Sequence, residues 1–313
     1  MNPWLIALVI GGSAVLSTIV VDLSIRMSHR VAAYDHPDGE RKTQERPIPK
    51  LGGVAVAVAL TTSVVVVLLV TNRLEQLGLA LSVLFPALLA ALIGFLDDRQ
   101  ALTPYLRLAM QAGVAALAWL LGTRLSITGI VALDAALLVL WVLVLINGIN
   151  LLDNSDGLAG ATVLVSSLGA AVIAVMYGQV LVSILGFAIA GVTVGFLWHN
   201  WFPAKVYMGD AGAYFLGLLL AILTVRLKPT GAPILVGVVI ALLLVLVPLF
   251  DTTFVVINRL RQGIHPFTAG RDHLSHVLQG RSLSVAGSVA ALQILGLAGV
   301  LMAVGLATAF RQG

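Results

Sequence analysis

Along the chain, runs of about twenty almost uninterrupted apolar residues alternate with short polar segments, the length needed for a helix to cross a bilayer core of ~30 Å. Bounded by charges, proline and glycine, these runs predict spans at 3–21, 51–71, 79–96, 106–122, 131–149, 158–176, 180–198, 212–227, 233–250 and 284–309. The eighth has the shortest apolar stretch because Arg226 and Lys228 close it, although both side chains are long enough to snorkel to an interface. None of the runs alternates with period two, which argues against a transmembrane barrel. The predicted fold class is therefore all-α, a polytopic membrane protein of about ten transmembrane helices. The first run starts at Pro3 without a preceding basic segment or a following small-residue cleavage site, so it reads as a retained helix. No repeat or low-complexity linker interrupts 1–313, which reads as a single transmembrane domain.

Composition strengthens this picture. Of 313 residues, 59% are hydrophobic and 10% charged, against roughly 45–50% and about 25% in soluble domains. The absence of cysteine excludes disulfides, thiolate chemistry and Cys-ligated zinc. A net charge of only +4 gives no reason to expect a nucleic-acid partner.

Charge placement is more informative. Ten spans put both termini on one side and divide the connections into two alternating sets. The set 22–50, 97–105, 150–157, 199–211 and 251–283, with Arg107 at its helix end, holds 13 of the 18 basic residues. Lys and Arg accumulate in cytoplasmic loops, so this set is predicted to face the cytoplasm with both termini outside. Twelve of the 14 acids and all six histidines fall on the same side, leaving only Glu75 and Asp134 elsewhere. A site at the membrane's inner surface is one explanation; long loops collecting polar residues is the other.

Five segments on that face carry candidate chemistry. Asp97-Asp98 directly follows an apolar span; adjacent carboxylates at a poorly screened boundary need a cation, for which Mg²⁺ is suited, or else they are a solvated helix end. Asn147, Asn150 and Asp153 recur every three residues, a polar edge leaving an apolar bundle if the fifth helix continues; Asp156 beyond them could instead cap the sixth helix. In Trp198–Gly212, His199 and the aromatics suit an interface, and Gly209-Asp210-Ala211-Gly212 opens a helix whose free amides could face a phosphate while Asp210 holds a metal or serves as the cap. The loop 258–276 offers Arg259, Arg261 and Arg271, able to grip an anion in bidentate fashion or to meet lipid headgroups; the His273…His276 spacing could serve metal binding or phosphate contact, but by itself supplies too few imidazoles for zinc. Finally, the Pro-Ile-Pro-Lys50-Leu-Gly-Gly end of the first polar loop is stiffer than a linker requires.

Taken together and in order from 35 to 276, these segments resemble the polyprenyl-phosphate N-acetylhexosamine-1-phosphate transferase superfamily. The resemblance implies transfer of a sugar-1-phosphate from a UDP-N-acetylhexosamine to a polyprenyl phosphate lipid of a bacterial inner membrane, with release of UMP and dependence on Mg²⁺, or Mn²⁺ in its place. It implies that Asp97, Asp98 and Asp153 are catalytic and that Asp210 binds the metal. Lys50, Arg107, Asn147, Asn150, Asp156, Asn200, Arg271, His273 and His276 would bind substrate. Three positions depart from the pattern: Asn154, where many relatives have Gly; Ala213, where Ser is common; and Ser275, where the GlcNAc branch often has His. The consecutive histidines of the MurNAc-pentapeptide branch are absent, which favours the GlcNAc-type branch, with the MurNAc-pentapeptide activity as the alternative.

An ion-coupled transporter is the rival class, but it would carry acids near midspan rather than at span ends. Gly191 and Gly195 form a GxxxG pair, which serves close packing inside a bundle more simply than it serves a homodimer.

Overall fold

The computed structural model describes residues 1–31, 33–35, 46–265, 268 and 270–311, apart from the side chains of His29 and Val31. His36, Asp38, Glu40, Arg41, Lys42 and Glu45, counted above with the charged face, lie outside the described residues. The chain is helical almost throughout. A helix occupies every predicted span: α1 (Pro3–Val31), α2 (Gly52–Val70), α3 (Leu77–Gln100), α4 (Pro104–Leu120), α5 (Val131–Leu152), α6 (Leu158–Met176), α7 (Val180–Asn200), α8 (Gly209–Arg226), α9 (Ile234–Leu244) with α10 (Leu246–Arg261), and α12 (Val285–Arg311). Among the described residues, eight of these helices are individually long and apolar enough to cross a membrane. At 17 residues, α4 is a little shorter than these.

The predicted span 233–250 is not one straight helix. The chain breaks at Val245, and α9 and α10 diverge by 74°. Pro248 accounts for this, because its ring would clash with the Leu244 carbonyl and it has no N–H to continue the ladder.

Several helices also outrun their apolar stretches. α1 reaches Val31, α3 Gln100, α5 Leu152 and α10 Arg261, and a short α11 (Leu274–Gly280) forms inside the predicted loop 251–283. Asp97, Asp98, Asn147 and Asn150 therefore sit near rigid helical ends, and Asp251 lies within α10. Hydropathy marks where a lipid-facing stretch stops, whereas the backbone ladder continues as long as its N–H and C=O groups can pair.

The core is built around α7 and α8, the most buried spans, while α1 and α12 lie at the periphery. α7 packs between α1 and α6; α8 packs between α3 and α5 and also touches α2. Small residues make these approaches close. A Cβ on Gly94 of α3 would stand 2.2 Å from the Asp210 carbonyl oxygen, and one on Gly53 of α2 would stand 2.1 Å from the Gly212 nitrogen. Gly191 and Gly195 are used in the same way inside the bundle, against the Ile10 and Ala14 carbonyls of α1.

The stiff end of the first polar loop is structured. Tyr34–Asp35 (β1) and Ile48–Pro49 (β2) form a two-residue antiparallel pair, and the Pro49 carbonyl accepts from Tyr207 N at 2.8 Å. This fastens Lys50 beside the start of α8.

Candidate active site

The site assembles around the N-terminus of α8. Gly209 adopts φ +65°, and a Cβ there would stand 2.7 Å from Asp98 Oδ2, so both the backbone turn and the carboxylate's approach require glycine. Two carboxylates meet the amides beside it. Gly209 N donates to Asp153 Oδ2 and Ala211 N to Asp98 Oδ2, each at 3.2 Å. Amides expected to be free for a phosphate are thus occupied, because the partial positive charge of a helix start attracts the nearest anions. Asp210 lies between them in the first turn of α8; it is not the N-cap, and its Oδ1 accepts from Asn150 Nδ2.

Asp97 and Asp98 have different surroundings. Asp97 is buried and receives Tyr214 Oη at 2.6 Å, Leu102 N at 2.9 Å and Arg107 at 3.5 Å. Asp98 faces Lys50 at 3.8 Å, and Lys50 in turn holds Asp35 at 3.0 Å. The pair is therefore no solvated helix end. Burial alone would lower the Lys50 pKa; the hydrogen bond and charge of Asp35, with Asp98 and Asp210, outweigh it and raise the pKa. Asp153 shows the opposite strain: burial first, then the Asp210 and Asp98 charges, pushes its carboxyl well above the usual range.

The three-residue repeat of α5 fans out across its neighbours. Each step of three turns about 300°, so the edge drifts by about 60° per repeat. Asn147 donates to Gln111 Oε1 of α4 at 2.8 Å and to Leu143 O at 2.8 Å; Asn150 reaches Asp210; Asp153 reaches Gly209.

Asp156 and Asn200 hold two loops together. Asp156 does not cap α6, whose N-cap is Gly157 without a side-chain bond; it accepts from Ala204 N at 2.9 Å. Burial raises its pKa, with the Ala204 amide opposing. Buried Asn200 accepts from Gly157 N at 3.1 Å and donates to Val206 O at 2.9 Å. The loop 201–208 is thereby pinned to the α5–α6 turn.

A second cluster lies on α10 and α11. His273 Nδ1 meets Asp251 Oδ2 at 2.9 Å, and Asp251 Oδ1 also accepts from Leu274 N at 2.8 Å. His276 packs edge-on to His273 at 5.8 Å, and its buried Nδ1 has no hydrogen-bond partner among the described residues. Burial, then the His273 and Arg271 charges, lowers the His276 pKa. The bidentate grip offered by Arg259 is taken by Asp272, at 2.8 and 2.7 Å, which pulls the Asp272 carboxyl below its usual range. Arg271 remains exposed. The two clusters are linked through the α5–α6 turn, where Asn154 accepts from Ser275.

Four carboxylates, Asp97, Asp98, Asp153 and Asp210, thus share their surroundings with two cations, Lys50 and Arg107. Among the described residues no three acidic or imidazole groups form a complete metal ligand set.

Comparison with known proteins places the chain. The sequence model of glycosyl transferase family 4 matches residues 80–228. The decaprenyl-phosphate N-acetylglucosaminephosphotransferase of Mycolicibacterium smegmatis is 31% identical over 285 residues, covering 80% of this chain and 69% of that protein. The chain belongs to glycosyl transferase family 4. Another relative, the probable undecaprenyl-phosphate N-acetylglucosaminyl 1-phosphate transferase of Bacillus subtilis, is 29% identical over 89% of this chain and 78% of its own length. The phospho-N-acetylmuramoyl-pentapeptide-transferase of Streptococcus thermophilus is 31% identical over 66% of this chain and 67% of its own. The family match spans every aspartate of the α8 site, and Lys50 and the imidazole cluster lie outside it.

Sequence reasoning missed Asp35, Gln111, Tyr214, Asp251 and Asp272 as partners within these clusters. Asp251 gave a signal, as a lone acid directly following the apolar run of the ninth span. Gln111 and Tyr214 become partners only through helix packing, and Asp35 and Asp272 only through the way their loops fold back.

Proposed function

We propose that this glycosyl transferase family 4 member transfers N-acetylglucosamine-1-phosphate from a UDP-sugar to a polyprenyl phosphate, releasing UMP, on the cytoplasmic face of a bacterial inner membrane. The observation that carries the reading is the convergence of Asp98, Asp153 and Asp210 on the first turn of α8, with Lys50 alongside. Such a cluster would hold a divalent cation that, with Lys50, neutralises and aligns phosphates, which is most of what phosphoryl transfer asks of a protein.

In the reaction an oxygen of the lipid phosphate attacks the phosphorus that carries the sugar. The bond from that phosphorus to the UMP oxygen breaks, and UMP leaves with the electron pair. One diphosphate bond is lost and another formed. Asp98, with Lys50 beside it, is placed to orient the lipid phosphate and to accept its proton; the second pKa of a phosphate is near 6, so the transfer is needed for only part of the population. Asp97, filled by three protein donors, positions Arg107, whose guanidinium would contact a phosphate oxygen. Mg²⁺, or Mn²⁺, held by Asp210 with Asp98 or Asp153 would supply the positive charge that offsets the donor diphosphate. Asp251 fixes His273 through Nδ1, leaving Nε2 as the ring nitrogen for the donor.

GlcNAc is supported by the relatives named for it, which match 89% and 80% of this chain against 66% for the MurNAc-pentapeptide relative. The test is UMP release by the purified protein given undecaprenyl phosphate, Mg²⁺ and either UDP-GlcNAc or UDP-MurNAc-pentapeptide. Turnover of only the second donor would select the alternative activity. No release with any UDP-sugar, or release unaffected by Asp210→Ala, would sink the proposal.

A further inference from the structure

The end of the bundle remote from the aspartates holds a basic pocket. Its volume is about 330 Å³, at the small end of ligand cavities. It opens between the starts of α3 and α7 and the ends of α4 and α8, with Arg124, Arg226 and Lys228 in its wall beside Gln76 and Gln179. Asp210 and Arg226 lie 16 residues apart on α8, or about 24 Å at the helical rise, which is close to the thickness of a bilayer core. The pocket therefore opens on the membrane face opposite the transferase site.

Its charge is uncompensated. No ion pair joins Arg124, Arg226 or Lys228 to a carboxylate among the described residues. Among the described residues only two acids, Glu75 and Asp134, lie at this end. Asp134 is occupied by the Ile127 and Thr128 amides and the Thr128 hydroxyl, while exposed Glu75 does not line the cavity. The two guanidiniums are nonetheless held in place, and the Lys228 backbone is fixed beside them. Arg226 Nε donates to Thr123 Oγ1 at 3.2 Å and its Nη2 to Ser82 Oγ at 3.0 Å, neutral partners that fix the guanidinium without cancelling its charge. Arg124 stacks on Trp119 at 4.5 Å, and the Gln179 amide clasps the backbone of Lys228. Two oriented guanidiniums and a nearby ammonium, with no acid paired to them among the described residues, at a membrane interface select a phosphate-bearing anion. Behind Arg226 the apolar seam between α3, α7 and α8 narrows to about 10 Å³, so no acyl chain enters and the phosphate itself is the part recognised.

We infer that this pocket is a second phosphate site, separate from the transferase centre, for the phosphate of an anionic lipid headgroup or for free phosphate. The experiment uses the full-length protein and Arg124→Gln/Lys228→Gln, whose altered side chains are exposed and leave the buried bonds of Arg226 intact. Native mass spectrometry compares retention of phosphatidylglycerol with phosphatidylcholine, and a thermal-shift assay follows inorganic phosphate. A preference of about tenfold for phosphatidylglycerol that the double variant loses identifies a lipid headgroup site. Stabilisation by inorganic phosphate in the wild type alone, without lipid preference, identifies a free-phosphate site. If wild type and variant respond alike to both probes, the inference is wrong.

Discussion

Ser275 Oγ donates a hydrogen bond of 2.7 Å to Asn154 Oδ1 across 121 residues of sequence. The two side chains are bonded directly to each other, joining two segments that the chain order keeps far apart. The bond ties α11, which carries His276, to the turn that carries Asp153. Ser275→Ala should cost about 1 kcal/mol of stability, the typical net value of one hydrogen bond. Because it loosens the imidazole cluster relative to the aspartates, donor KM should rise severalfold with little change in kcat, as UMP-release kinetics would show. An unchanged KM would mean that the tether does not organise the donor site.

The two adjacent aspartates should respond differently to the same chemical change. Asp97→Asn turns an amide toward Tyr214, Leu102 N and Arg107, all donors, so thermal unfolding should report a loss of about 3 kcal/mol, as for a broken buried pair. Asp98→Asn should fold near normally and lose about 10²-fold or more in kcat, the range for a positioned proton acceptor. Equal destabilisation of both variants would remove the distinction drawn between them.

Chelation should abolish UMP release, and Mg²⁺ or Mn²⁺ should restore it. Asp210→Asn should raise the Mg²⁺ concentration giving half-maximal rate by at least about tenfold, the scale set by losing one charged ligand. Activity that persists in excess chelator would refute a metal role for Asp210.

Helix contact makes a steric prediction. Gly94→Ala places a methyl 2.2 Å from the Asp210 carbonyl, so α8 must shift and carry Asp210 with it; Gly78→Ala on the same helix meets nothing within 4 Å. The first should lose activity and expression together. The second should leave both intact.

The Asp272 pKa is lowered chiefly by its hydrogen bond to Arg259. A carboxyl with a depressed folded pKa contributes stability above its unfolded value, about 3.9, and loses that contribution as pH falls through the folded value. Asp272→Asn should therefore be less stable than wild type at neutral pH, and the gap should close in acid below about pH 4 when unfolding is followed by temperature.

Hydropathy alone placed a helix in every predicted span, eight of them individually long and apolar enough to cross a membrane, because twenty apolar residues have few other stable places, and the positions of the rare polar residues pointed to Asp97, Asp98, Asn150, Asp153 and Asp210 as one site. What the pattern could not supply was where those groups point. Apolar runs end at the lipid boundary while α1, α3, α5 and α10 continue beyond it, and the bend at Val245 depends on backbone sterics at Pro248 that hydropathy does not register. Only packing decided that Asp97 is filled by Tyr214 while Asp98 faces Lys50, that Asp156 and Asn200 clamp a loop, and that Arg259 is held by Asp272. Polar residues at span ends reveal a site because burying them is costly, but their roles follow from which partner relieves that cost, and those partners lie on helices that are distant in sequence.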